Sequence, residues 1–216
     1  MHKTVTVDAF ESVLEANRGL ALQNRALLKA HGVRAFDFLG AVGSGKTMLI
    51  ERISELLGER GMRVGAIAGD VAGDDDHRRF LAAGIASENL NTGKECHLDA
   101  HLVGHALEDM DLDLVDVLFI ENVGNLVCPA DFPLGAEKRV VVISTTEGDD
   151  TVRKHPLIFR DADICVLNKI DLAGPVGVDA DVIEGDFLKL NRHAPFLRTN
   201  ARTGEGVDAL LEALLD

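Results

Sequence analysis

Apolar residues follow two different rhythms along this chain. From Asp8 to His31, the residues Phe10, Val13, Leu14, Leu20, Ala21, Leu27 and Leu28 recur at spacings near 3.6, and Gly32 follows where a helix C-cap belongs. The spacing predicts an amphipathic helix within an extension over residues 1–32 that packs beside the main body. No basic cluster flanks it, which argues against a membrane anchor. Beyond Gly32 the rhythm changes. Runs that are apolar on consecutive residues, at 35–39, 64–68, 114–120, 140–145, 164–167 and 196–199, alternate with helical patterns. Runs such as VLFIE and VVVIS suit parallel strands covered on both faces. The expected fold class is α/β: residues 33–216 form a mainly parallel sheet flanked by helices. The Gly and Asp content of 173–181 predicts a surface loop.

The first apolar strand runs into Gly40 to Thr47, GAVGSGKT, and a helical pattern follows. This is a phosphate loop in its proper context. Gly40, Val42, Gly43, Ser44 and Gly45 bring backbone N–H groups toward phosphates, Lys46 neutralises β/γ oxygens, and Thr47 can ligate magnesium. After the strand ending at Leu167 comes NKID. There Asp171 would accept from the N1–H and 2-amino group of guanine, Asn168 would meet its other polar edge, and the stem of Lys169 would cover a ring face. Adenine lacks that donor pair, so such a site discriminates by a factor on the order of 10² to 10⁵. Ala201, in TNARTGEG, would support the guanine oxygen through its N–H. Candidates for holding magnesium or aligning the attacking water are Asp70, Asp76 and Glu121, each near the end of a strand or just beyond it. The expected ligand is therefore GTP or GDP with Mg2+.

Glu121 to Pro129 reads ENVGNLVCP. Gly124 would donate its N–H to the γ-phosphate, and Cys128 lies four residues further on. A loop that responds to the γ-phosphate would carry that cysteine with it. Cys96 and His97 stand in GKECHLDAHLVGHAL, at the expected start of a helix. Two thiolates and an imidazole suit Ni2+ or Zn2+. Three ligands leave a site that a second subunit can complete, so a two-fold dimer with metal across its interface is expected. His97, His101 and His105 would share a helical face if the helix runs through them. His101 is a further candidate ligand, weighed against a role for His101 and His105 as surface histidines. Cys165, inside an apolar strand, reads as a packing residue.

Composition narrows the choice. The 216 residues suit one domain, and the formal net charge of −14 repels nucleic acid and anionic membranes. Three cysteines argue against a disulfide framework. No apolar run reaches eighteen residues, and MHKTVTVDAFE lacks the features of a secretory signal, so a soluble cytoplasmic protein is expected.

With GAVGSGKT, ECHLDAH, ENVGNLVCP, TEGDD and NKID in this order, the chain resembles the hydrogenase nickel-incorporation GTPases of the HypB family. The resemblance implies a SIMIBI-like P-loop NTPase that hydrolyses GTP slowly and dimerises with GTP bound. It also implies metal at Cys96, His97 and Cys128 in the subunit interface. The expected partners are a HypA-type nickel chaperone and the large subunit of a [NiFe]-hydrogenase. The N-terminal cysteine motif and histidine-rich tract of some members do not occur in this sequence, which looks like the short form of the family. Thr151 and Val152 stand where the family usually has lysine and proline. Three other readings fit part of the pattern: a metal-delivery module whose dimer is set by nucleotide, a structural zinc site, and a urease-accessory GTPase. The last does not account for ENVGNLVCP together with CHLDA.

Overall fold

A computed structural model describes residues 2–216, with side chains from Glu11 onward, so the Phe10 side chain lies outside the described residues. Seven strands form one sheet in which every pairing is parallel, in the order β3-β2-β4-β1-β5-β6-β7. They are β1 Arg34–Leu39, β2 Val64–Asp70, β3 Ala86–Asn91, β4 Val117–Glu121, β5 Lys138–Ser144, β6 Ile164–Asn168 and β7 Phe196–Arg198. The helices are α1 His2–Ala30, α2 Lys46–Glu59, α3 Asp75–Ala82, α4 Ala100–Asp109, α5 Thr151–Lys154, α6 Pro156–Arg160, α7 Ala173–Val176, α8 Ala180–Leu190 and α9 Val207–Leu215.

Side chains alternate across each strand, and both faces are covered. Phe36, Phe38, Phe119, Val140 and Val142 point to the layer that holds α2 and α9, where they pack with Ile53 and Leu210. On the other face Ala35, Leu118 and Ile120 meet Leu28 of α1 and Leu107 of α4, while Leu39, Val141 and Leu167 meet Phe159 and Phe187. This double cover is why these strands read as unbroken apolar runs.

Three expectations about elements need correction. A seventh strand, β3, pairs with β2 at the sheet edge; its sequence, ASENLN, is polar and only partly buried, so it carries no apolar run. The run at 114–120 is not one strand: Leu112–Leu114 form a 3-10 turn with Leu114 exposed, and β4 starts at Val117, after Asp116 accepts from Arg63 N at 2.7 Å. The stretch 173–181 is helical over α7 and again from Ala180, with Gly177 in the left-handed conformation between them.

Helix α1 ends as its glycine predicts. Gly32 has φ +70°, its N–H donates to Lys29 O, and Val33 N donates to Leu28 O, which closes the last turn. The helix packs mainly across α4 and touches β1. Its buried face runs through Asn17, Ala21, Asn24 and Leu28, whereas Val13 is 54% exposed. Two positions of the inward stripe are thus asparagines. Their amides tie the helix to irregular chain: Asn17 accepts from Ala100 N and donates to Pro133 O, while Asn24 donates to Ala100 O and Leu134 O.

Candidate functional site

Between β1 and α2 the chain folds back through Gly40–Gly45 at the carboxyl edge of the sheet. Gly45 takes φ +101°, and a Cβ there would lie 2.3 Å from Asn168 Nδ2, so a larger residue would both strain the turn and strike its neighbour. The resulting cleft has a volume of about 550 Å3 and brings Lys46, Thr47, Asp70, Asp76, Glu121 and Asp171 to its walls. Val42, Gly43, Gly45, Gly124, Asn168, Lys169 and Ala201 also line it.

Carboxylates gather on one hydroxyl. Thr47 Oγ1 lies 2.8 Å from Asp76 Oδ1 and 3.0 Å from Glu121 Oε1, and Lys46 Nζ stands 3.8 Å from that same Glu121 oxygen. Glu121 is buried, and its pKa is pushed up to about 7, chiefly by burial, with Lys46 opposing and Asp76 adding to the rise. Its Oε2 is buried without a hydrogen-bond partner. An oxygen cluster of this kind fits a magnesium ion, which takes one or two carboxylates and a hydroxyl beside nucleotide phosphates. Asp70 is placed differently. It lines the cleft, but its Oδ1 accepts from Val71 N at 2.6 Å, outside the Thr47 cluster. Arg79 holds Glu51 with two hydrogen bonds and comes within 3.9 Å of Asp76.

On the base side Asn168 is also a brace. Its Nδ2 donates to Ser44 O, and its Oδ1 accepts from Thr199 Oγ1 and from Ala201 N. With its oxygen and one of its two N–H donors committed to the protein, the side chain braces the phosphate loop against the loop after β7 while still lining the cleft. The Ala201 N–H is engaged in the same brace. Lys169 adopts φ +59° and donates from Nζ to Gly43 O at 2.6 Å. Asp171 follows in the 3-10 turn Ile170–Leu172 and faces the cleft.

The loop after β4 is fastened to the phosphate loop. Gly124 lies so close to Val42 that a Cβ would come within 2.3 Å of Val42 Cγ2 and 2.9 Å of its N, and Gly40 pairs with Asn125 in a backbone bridge. The side chain of Asn125 donates to Cys96 O at 3.2 Å. One residue thus touches the phosphate loop with its backbone and the cysteine segment with its amide. Cys128 opens a 3-10 turn, Cys128–Asp131, and its Sγ is 2.7 Å from Cys96 Sγ. His97 Nδ1 is 3.9 Å from Cys96 Sγ.

One ligand atom from each of Cys96, His97 and Cys128 lies within 4.8 Å of the others, the one such group of three among the described residues. Hydrogen bonding to Cys128 and burial raise the Cys96 thiol, so metal binding there must displace protons. The His97 ring lies against Phe132, with centroids 3.9 Å apart, and burial lowers its pKa, which favours the neutral, ligating form. The expectation of three histidines on one helical face does not hold. Asp99 caps α4 by accepting from Leu102 N, the helix begins at Ala100, and His97 precedes it. His101 and His105 form a separate surface pair, Nε2 to Nε2 at 3.2 Å. Cys165 is fully buried in β6 as a packing residue, and burial drives its thiol well up.

The sequence does not reveal the polar side chains behind these loops: buried Asn17 and Asn24 on α1, buried Asp37 in β1, buried Asn122 after Glu121, and half-buried Arg139 in β5. A visible trace existed. Asp37 interrupts the apolar run AFDFL, and the two asparagines occupy stripe positions of α1.

A profile of the family described as CobW/HypB/UreG, nucleotide-binding domain, matches residues 36–198. The probable hydrogenase maturation factor HypB of Methanocaldococcus jannaschii is 55% identical over 212 residues, covering 98% of this chain and 96% of that protein. The chain belongs to the HypB family of hydrogenase maturation GTPases. Solved HypB structures carry the same fold. The hydrogenase maturation factor HypB of Archaeoglobus fulgidus aligns with a TM-score of 0.86 at 46% identity, over 93% of this chain and 98% of that one. HypB from Helicobacter pylori, crystallised in complex with nickel, aligns with a TM-score of 0.88 at 29% identity, over 93% and 94%. As in the sequence reading, the fold is α/β and of the P-loop type; its HypB sheet is parallel throughout. No helix among the described residues is long and apolar enough to cross a membrane.

Proposed function

We propose that this chain is a GTP-driven switch that holds nickel and releases it for assembly of a [NiFe]-hydrogenase. GTP lies in the cleft with its phosphates along 40–47, Lys46 on the β/γ oxygens, and Mg2+ on Thr47 with Asp76 and Glu121. Asp171 reads guanine. Water attacks the γ-phosphorus, the bond to the β–γ bridging oxygen breaks, and GDP and phosphate leave; the protein positions and neutralises. Asp70 and Asp76 are the candidates for aligning that water.

Nickel, as cargo, takes Cys96, His97 and Cys128, and zinc competes for the same donors. Three donors from one subunit leave room for a second, so GTP-bound chains pair two-fold with the metal sites facing each other. A HypA-type chaperone supplies nickel and the hydrogenase large subunit receives it, in the cytoplasm.

The observation that carries this reading is Asn125, paired by its backbone with Gly40 and by its side chain with Cys96 O. The nickel complex of the Helicobacter pylori relative adds support for the metal. Sizing the protein with GDP and with a nonhydrolysable GTP analogue, with and without nickel, while measuring bound metal, tests it. A dimer favoured by the analogue and a change in nickel occupancy between nucleotides are expected. A species of constant size under all four conditions, with the same nickel content for both nucleotides when nickel is present, would overturn the reading.

A further inference from the structure

Beneath the metal site lies a carboxylate that neither the phosphate nor the thiolate chemistry uses. Asp37 sits in the middle of β1, between Ala35 and Leu39, on the sheet face otherwise filled by Leu118, Ile120 and Leu126. It is 1% exposed. An aliphatic residue would fill that position without the cost of burying a charge. What the carboxylate touches explains its presence. Its Oδ1 accepts from Asn122 Nδ2 at 3.2 Å, and its Oδ2 faces Arg139 Nε at 4.0 Å across the β1–β5 pairing, where Asp37 and Arg139 are register partners. Neither Asp37 Oδ2 nor Arg139 Nε has a hydrogen-bond partner of its own among the described residues.

Each partner then reaches one half of the metal site. Asn122 Oδ1 accepts from Leu98 N at 3.0 Å, directly after His97, and from Val123 N at 3.1 Å. Arg139 donates to Pro129 O at 2.6 Å and to Ala130 O at 3.1 Å, directly after Cys128. The two segments that bear the ligands are 32 positions apart in sequence, yet the braces behind them meet on one side chain. Asn122 also follows Glu121, which stands beside Thr47 in the cleft.

We propose that Asp37 is a positioning residue for the metal site: through Asn122 and Arg139 it fixes the spacing between Cys96–His97 and Cys128, and it relays movement of Glu121 to both. The relay rests on the nucleotide–metal reading given above, whereas the spacing role does not. A carboxylate suits the task because it can accept from an amide on one side and face a guanidinium on the other. Asparagine in its place would still accept from Asn122 but would present an N–H donor to Arg139.

The test uses the full chain and three variants: Asp37→Asn, Arg139→Gln and the double substitution. Nickel affinity is measured by competition with a chelator, once with GDP and once with a nonhydrolysable GTP analogue, and the nickel–thiolate absorption band is recorded in each state. Folding is checked by GDP affinity. Asp37→Asn is expected to weaken nickel binding about ten-fold, as loss of a group that orients metal ligands does. It should also shift the band and narrow the difference between the two nucleotide states, while GDP binds as in the wild type. The double variant should be no weaker than the weaker single one, because both act through one contact.

A folded Asp37→Asn protein with wild-type nickel affinity in both states and an unmoved band would overturn the proposal. Should Asp37→Asn not fold, Arg139→Gln decides alone: weakened nickel binding supports the proposal and wild-type binding overturns it. If the wild type itself shows no nucleotide dependence, the nucleotide–metal reading fails, and the affinity and band of the variants still decide the spacing role.

Discussion

The phosphate cleft and the thiolate–imidazole site stand at the two ends of Glu121–Cys128, and they are built by different means. The cleft is made at the ends of regular elements. Strand β1 delivers the loop, α2 begins at Lys46, and β4 and β6 bring Glu121 and Asn168 to the same edge. Backbone geometry does most of the positioning there, helped by glycines that no side chain could replace. The metal site instead rides on irregular chain, one half before the cap of α4 and the other in a 3-10 turn. Side chains from α1 and β5, together with Asn122, reach the segments that flank it, and Asp37 of β1 stands behind Asn122 and Arg139. A site built on element ends is fixed by the fold, whereas one built on braced loops can be shifted by moving its braces.

The largest effects should separate the two chemistries. Lys46→Ala is expected to lower GTP hydrolysis by a factor of about 10² to 10³, since it removes the buried cation at the phosphates; phosphate release assays read it. Cys128→Ser should abolish the nickel–thiolate band and leave hydrolysis by metal-free protein within a few-fold of wild type. A large loss of hydrolysis in metal-free Cys128→Ser would mean that the two ends are one site.

A second expectation concerns the floor of the metal site. Burial raises the pKa of Asp37 from 3.8 to about 6, against the pull of Arg139 and the Asn122 hydrogen bond. Below about pH 4 folded and unfolded chains both hold that proton, and well above pH 6 both have lost it. In between, the folded chain holds it more firmly, so this group's contribution to stability falls as pH rises through the window, by an amount on the order of 3 kcal/mol. Glu121 and Glu147, both raised to about 7, act in the same sense but are common to wild type and variant. Denaturant melts of wild type and Asp37→Asn from pH 3.5 to 7.5 should therefore differ by an amount that changes with pH between 4 and 6 and is level above. A difference independent of pH would contradict a buried, ionising carboxylate.

A smaller effect should sharpen the contrast. Asn24→Ala leaves Ala100 O and Leu134 O without their donor and is expected to cost about 1–3 kcal/mol in a denaturant melt. Because α1 braces the metal loops and not the cleft, nickel affinity should fall while GDP affinity holds. Equal loss of both would show that α1 merely supports the whole fold.

This division also governs what could be read from the residues. GAVGSGKT and NKID announce themselves because many phosphate and base sites share their backbone solution, and the strands β1, β4, β5 and β6 are legible because burial on both faces demands apolar runs. Edge strand β3 escaped because one flank lacks a neighbour and its residues stay polar. That Cys96, His97 and Cys128 could gather as one cluster is legible from their chemistry, but α4 starts later than their spacing suggests, at Ala100. Asp99, which caps the helix, sits where a helical reading had run straight through. The bracing role of Asn168 is not legible, because its Ser44, Thr199 and Ala201 partners lie far away in sequence. Asn17, Asn24, Asp37, Asn122 and Arg139 act through partners 24 to 116 positions away or, for Arg139, on the 3-10 turn that precedes its strand; the local pattern marks Asp37 and the two asparagines as polar residues at apolar positions but not what they hold.

The central claim is that nucleotide state at one end of Glu121–Cys128 sets the grip on metal at the other. Nickel titration of the wild-type protein, loaded with GDP and then with a nonhydrolysable GTP analogue in the presence of magnesium, tests it most directly. The account predicts nickel affinities that differ by ten-fold or more between the two states, with a displaced thiolate band. Affinities that agree within two-fold, with superimposable spectra, would contradict it.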